Sequence, residues 1–189
     1  MSNPAFLVDG QMEKRIIQSI CPGHRVWLLD CNGKDVTYEA AGKRAATLIR
    51  LLKNSYPIIV IFDREKRQDG PEVVAEKLHD AIICQGIQEV DIIIGVPNTM
   101  AENWMLADIQ SVNAHYSIQP PLEQGSFEGD NGKGKLRSLI SHNRKYAETQ
   151  DGPEIFKGCR VATIYENSSS FKSFFDKLKP LRCTWLSSG

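Results

Sequence analysis

The chain has 189 residues, 41% hydrophobic and 24% charged, with 23 basic side chains set against 23 acidic ones. That length suits one compact domain, or one domain with a small appendage, and the composition is that of an ordinary globular protein. Zero formal net charge excludes a global field that would draw in nucleic acid, so such a substrate would have to be held by a metal and by locally clustered Lys and Arg.

In chain order, residues 5–8 form a short apolar run closed by the turn signal Asp9-Gly10. From Gln11 the spacing becomes helical, with Ile16, Ile17 and Ile20 on one face, and it ends at Cys21-Pro-Gly23. Residues 25–30, with Val26, Trp27, Leu28 and Leu29, read as a second strand closed by Cys31-Asn-Gly33. Thr37 is a fair N-cap for a helix whose stripe is Ala40, Ala41, Ala45, Leu48, Ile49 and Leu52. The β-branched run Ile58 to Phe62 follows Pro57 and stops at Asp63, as expected of a strand buried on both faces.

After Gly70-Pro71 comes a helix with Val74, Leu78, Ala81 and Ile82 facing inward, then a fourth strand over residues 89–95. Asn98 or Thr99 can cap a helix running through Trp104 to about Asp108. Strand and helix alternate four times, which predicts an α/β fold with a mostly parallel four-stranded sheet flanked by helices. Residues 117–135 read as a surface loop, and helices are expected over 136–148, 155–165 and 171–178. The core is therefore drawn at residues 1–112, and 113–189 as a loop plus helical extension packed on it.

Nothing in the chain is apolar for long enough to span a bilayer, and no basic-then-apolar leader opens it, so a cytoplasmic setting is expected. Five cysteines without a CxxC pair argue against a disulfide framework or structural zinc and for reduced thiols. The four histidines are scattered singly and receive no catalytic role. Trp27 and Trp104 read as core anchors and not as base-stacking platforms.

Acids fall just past three strand ends: Asp9 after the first, Asp63 and Glu65 after the third, and Glu102 after the fourth. In a parallel sheet those ends share one edge, where α/β proteins bind ligands. Magnesium takes a few carboxylates plus waters and substrate phosphate, so this set predicts Mg2+ or Mn2+ binding and suffices for a second ion. Glu13 and Glu102 sit in first helical turns, where the helix dipole also favours an acid.

Leu7-Val-Asp-Gly10 with Glu13, then Ile59-Val-Ile-Phe-Asp-Arg-Glu65, resembles the Toprim domain, with its acid-Gly turn after strand one and a later Asp-x-Asp. Val96-Pro-Asn-Thr-Met-Ala-Glu-Asn-Trp-Met-Leu-Ala-Asp108 is similar to the E-x-W-x-L-A-D signature of a Toprim-like family of phage-defence and abortive-infection systems. The likeness continues through Gly134-Lys-Leu136, Tyr146 and Ser169-Ser-Phe-Lys-Ser-Phe174, so it spans nearly the whole chain. It implies a Toprim fold and magnesium-dependent phosphodiester cleavage of DNA or RNA, as in nucleases of the overcoming-lysogenization-defect type. By position Asp63 matches directly, Asp9 stands where the family has Glu, and Glu65 where it has the second Asp. Glu13, one helical turn from Asp9, could serve in its place. Among Lys133, Lys135, Arg137, Arg144 and Lys145, the family's Lys near the matched Tyr146 points to Lys145, then Lys135, as the catalytic cation.

Two rivals stay open. A catalytically silent subunit working beside a separate ATPase fits the two acid swaps and the neutral charge; a phosphatase-like site using Asp63 as nucleophile is a third reading. Gly129-Asp-Asn-Gly-Lys-Gly-Lys135 satisfies the phosphate-loop spacing, but Leu136 replaces the Ser/Thr that would hold magnesium and no strand is expected before it, so it is rejected as a nucleotide site.

Overall fold

A computed structural model describes residues 3–31, 36–140 and 144–178. Asn32 and Gly33 of the expected second turn, together with His142 and Cys183, lie outside the described residues. Four parallel strands, β1 (Ala5–Val8), β2 (Arg25–Leu28), β3 (Ile58–Ile61) and β4 (Ile92–Gly95), pair in the order β2-β1-β3-β4. Val8 lies beside Leu28 on one side and Ile61 on the other, so β1 and β3 end level at the carboxyl edge. The α/β architecture with a parallel sheet is as expected, and every described strand pairing is parallel.

Helices α1 (Gln11–Ile20), α2 (Tyr38–Leu51) and α3 (Pro71–Ile83) link the strands. Thr37 caps α2 by accepting from the Ala40 amide at 3.2 Å. Strand alternation divides the interior: Ala5, Leu7, Ile58 and Val60 face α2 and α3, whereas Phe6, Val8, Ile59 and Ile61 face α1 and the C-terminal helices. β1 feeds α1 on one face while β3 feeds α3 on the other. The chain therefore diverges between β1 and β3, which opens a crevice at their carboxyl ends.

Several boundaries depart from the sequence reading. β4 starts only at Ile92, and Glu89 carries a positive φ of 58°, which breaks the extended run. Helix α4 spans Glu102–Leu106, and neither Asn98 nor Thr99 caps it; Asn103 Oδ1 takes the Met100 amide instead, at 3.1 Å. Helix α5 (Ile109–Tyr116) crosses residue 112. Helix α6 (Gly132–Leu139) begins inside the segment expected to be loop, because Asn131 caps it by accepting from the Gly134 amide at 2.9 Å. The helix expected over 136–148 therefore ends early.

The one expected over 155–165 divides into α7 (Glu148–Gly158) and α8 (Val161–Asn167), with Cys159 and Arg160 extended between them. Helix α9 is Ser169–Leu178. Gly95 admits it to the sheet, since a Cβ there would sit 2.6 Å from the Phe174 ring. Trp104 is a core anchor as expected, 2% exposed and stacked on Phe174 at 5.5 Å between centroids. Its indole N–H donates to Ser170 Oγ at 2.9 Å.

Cys31, Cys84 and Cys159 are free thiols, but Cys21 is disulfide-bonded, so the expectation of uniformly reduced cysteines fails at that residue. Spacing shows only motif-type pairs; a bridge needs proximity that the fold alone creates. No helix among the described residues is long and apolar enough to cross a membrane.

Candidate functional site

The crevice at the carboxyl edge is a cavity of about 390 Å³ lined by Asp9, Glu13, Asp63, Glu65, Lys133 and Glu148, among others. Asp9 follows β1 directly and is 6% exposed. Asp63 stands two residues past β3; the residue is half-buried, but its Oδ1 is enclosed. Asp9 Oδ1 and Asp63 Oδ1 are both buried without a hydrogen-bond partner. Such orphaned acceptors are costly unless a cation or a proton reaches them.

Glu65 adopts a left-handed backbone, φ 52°, and its amide donates to the Thr99 carbonyl at 2.7 Å. The two acids after β3 therefore sit in a bent loop and not at successive same-side positions of an extended strand. Glu65 still lines the cavity with Asp63.

Glu13 and Glu102 enter from the first turns of α1 and α4, and both are buried. The Glu13 carboxyl is pushed up to about 7, chiefly by burial and also by Asp9 and Glu148, while the Gly10 and Glu13 amides pull it partly back. Burial likewise pushes Glu102 up to about 7, against its own amide and Lys133. Asp9 rises to about 6 through burial and the Glu65 charge. Asp63 is raised well above the carboxylate range by burial first, then by Glu13, Asp9, Glu102 and Glu65. Asp63 thus feels the other four predicted acids.

Tyr146, 6% exposed, closes the floor by donating to Glu102 Oε1 at 3.2 Å. Burial and the Glu102 charge push its hydroxyl far above the usual phenol range, so it serves here as a donor.

The cation lining the cavity is Lys133, whose Nζ lies 2.6 Å from Glu148 Oε2. Gly132 permits that placement, because a Cβ there would meet the Asn103 amide at 2.9 Å and Glu102 Cβ at 3.0 Å. The two lysines favoured by sequence stand elsewhere: Lys135 Nζ lies 5.7 Å from the Phe127 ring centroid, and Lys145 is exposed. No local pattern in the sequence marks Glu148. The helix phase of α6 is what separates Lys133 from Lys135, and a segment that reads as loop carries no such phase.

The rejected phosphate loop is a helix start capped by Asn131, and no strand is described between residues 117 and 131. In the signature segment the three marked residues divide their work. Glu102 faces the acid cluster, Trp104 anchors the core, and Asp108 binds Arg160 through its amide, Nε and Nη2 at 2.9, 3.2 and 3.1 Å.

Does this set fit a magnesium ion? No group of three or more His, Cys, Asp or Glu side chains among the described residues is gathered closely enough to form a cage. Magnesium asks for less: it keeps most of its waters and accepts one or two carboxylates. Two residues with orphaned carboxylate oxygens, both lining a cavity large enough for a hydrated ion, meet that requirement. Comparisons with family models, with curated proteins and with solved structures return no significant match.

Proposed function

We propose that the chain is a Toprim-like, Mg2+- or Mn2+-dependent phosphodiesterase that cleaves DNA or RNA, with Asp9 and Asp63 as principal ligands and Glu13, Glu65 and Glu102 around them. The observation that carries this reading is the pair of buried, partnerless oxygens Asp9 Oδ1 and Asp63 Oδ1 at the point where β1 and β3 diverge. Four neighbouring carboxyls with raised proton affinity form a site of excess negative potential that a divalent ion would relieve. A bound ion would supply charge stabilisation at the reacting phosphate. The chain's own residues contribute the rest: Tyr146 orients Glu102, and Gly132 lets Lys133 reach the cavity.

The phage-defence role and an ATPase partner rest on the sequence resemblance. The free thiols Cys31, Cys84 and Cys159 suit a cytoplasmic setting, while the Cys21 bridge does not. Incubating single-stranded and duplex DNA and RNA with the protein and Mg2+ or Mn2+ tests the reading. Cleavage should vanish in Asp63→Ala; cleavage that persists unchanged would sink it.

One observation favours a second reading, a catalytically silent binding subunit. Lys133, a cation lining the cavity, is already engaged by Glu148, leaving no idle positive charge among the described residues that line it. Titration with Mn2+ separates the two, since a decayed site would show no binding linked to Asp63.

A further inference from the structure

The Lys133–Glu148 pair spans the cavity that holds the acids, and it joins the first turn of α6 to the first turn of α7. Both side chains keep access to solvent, 31% and 38% exposed. By contrast Lys135 rests against the Phe127 ring. Glu148 therefore adds a further negative charge to a cavity already crowded with them, and its direct contact there is Lys133.

A phosphodiester approaching the metal ligands would bring its own anionic oxygens to this mouth. A half-exposed ion pair is worth little in water, so exchange of one anion for another is inexpensive. We infer that Lys133 is the site's phosphate-contacting residue and that Glu148 is its built-in competitor, holding the ammonium in place until a substrate phosphate displaces it. This inference rests on the metal-dependent reading above and specifies how that site would take its substrate. Lysine suits such a hand-over better than arginine in a fixed fork, because its ammonium is a mobile point charge. The scaffold around it is closely packed: α6 abuts α4 at Gly132, and the Lys133 amide lies 3.2 Å from Met100 Sδ.

The test measures the affinity of thymidine and adenosine 5′-monophosphates by calorimetry, with saturating Mg2+, on the full chain. Glu148→Gln should lower Kd roughly three- to tenfold, since both the competitor and its repulsion are removed. Lys133→Met should raise Kd roughly tenfold or more, and Lys133→Arg should restore most of the affinity. Binding to Glu148→Gln should also fall more steeply with salt than binding to Lys133→Met. Mn2+ titration on each variant accompanies these measurements. Equal nucleotide affinity in the wild type, Glu148→Gln and Lys133→Met, with Mn2+ binding intact in all three, overturns this inference and leaves the metal reading standing. Absence of Mn2+ binding in the wild type overturns the reading beneath it.

Discussion

Two buried carboxylates six positions apart, Glu102 at the start of α4 and Asp108 between α4 and α5, have opposite fates. Asp108 is fully buried, yet its acidity is increased: burial alone would raise its pKa, but the Arg160 side chain and amide overcome that. Glu102 is 1% exposed and moves the other way, to about 7. Asp108 has a cation within the chain and ties the start of α8 to the end of α4. Glu102 acts on Asp63, which with Asp9 lines a cavity where Lys133 is engaged by Glu148. A satisfied buried acid is scaffold. A cluster of unsatisfied ones costs stability, and natural proteins keep such clusters where they bind something.

The sharpest way to break this contrast is to remove one acid from each region. Asp63→Asn should reduce metal-dependent cleavage at least about a hundredfold, equivalent to roughly 3 kcal/mol of transition-state stabilisation. The same variant should be more stable than the wild type in EDTA at about pH 8. Asp108→Ala should do the reverse, losing stability in urea denaturation because the Arg160 amide and the Ser111 hydroxyl lose their acceptor, with no change in metal affinity per folded molecule.

The pH dependence gives the next largest effect. Because Asp9, Glu13 and Glu102 have raised folded-state pKa values, the native chain keeps protons that the unfolded chain releases above about pH 4. Their stabilising contribution is therefore present at low pH and is lost as pH rises through about 6 to 7. Asp108 and Asp151, with lowered values, act oppositely at lower pH. Replacing one member isolates its share: Glu102→Gln, which can still accept from Tyr146, should gain about 3 kcal/mol of metal-free stability at about pH 8 and nothing at about pH 4. Added Mg2+ should stabilise the wild type more at the higher pH, as measured by thermal melts.

Smaller effects probe placement. Gly132→Ala must push α6 away from Asn103 and Glu102, at about 1 to 3 kcal/mol, and should weaken nucleotide binding by moving Lys133. Lys145→Ala and Lys135→Ala should alter stability by no more than about 0.5 kcal/mol and leave metal affinity unchanged. A large loss of cleavage in Lys145→Ala would instead return the cationic role to the residue that the sequence resemblance favoured.

Much of this was legible in the chain. The runs Ala5 to Val8 and Ile58 to Phe62 read as strands because they are short, apolar and cut off by acids, and strands over Ala5–Val8 and Ile58–Ile61 are buried throughout. Thr37 was readable as a cap because its hydroxyl has only local work to do. The acids after β1 and β3 stood out for the same reason: charge placed immediately after a buried strand is a local pattern.

What failed was any feature decided by neighbours distant in sequence. Helix α6 depends on Asn131 and on the close fit of Gly132 against Glu102, neither of which is visible in hydrophobic period. The break at Cys159–Arg160 is imposed by Asp108, about fifty residues away. Sequence by itself therefore determined the alternation of strands and helices, the buried faces and the acidic strand ends, since period and composition are properties of contiguous residues. Only tertiary structure decided the strand order that sets Asp9 beside Asp63, and which lysine meets the acids. Those outcomes depend on how the helices cross the sheet, and a pairing between Lys133 and Glu148 exists only once α6 and α7 have packed.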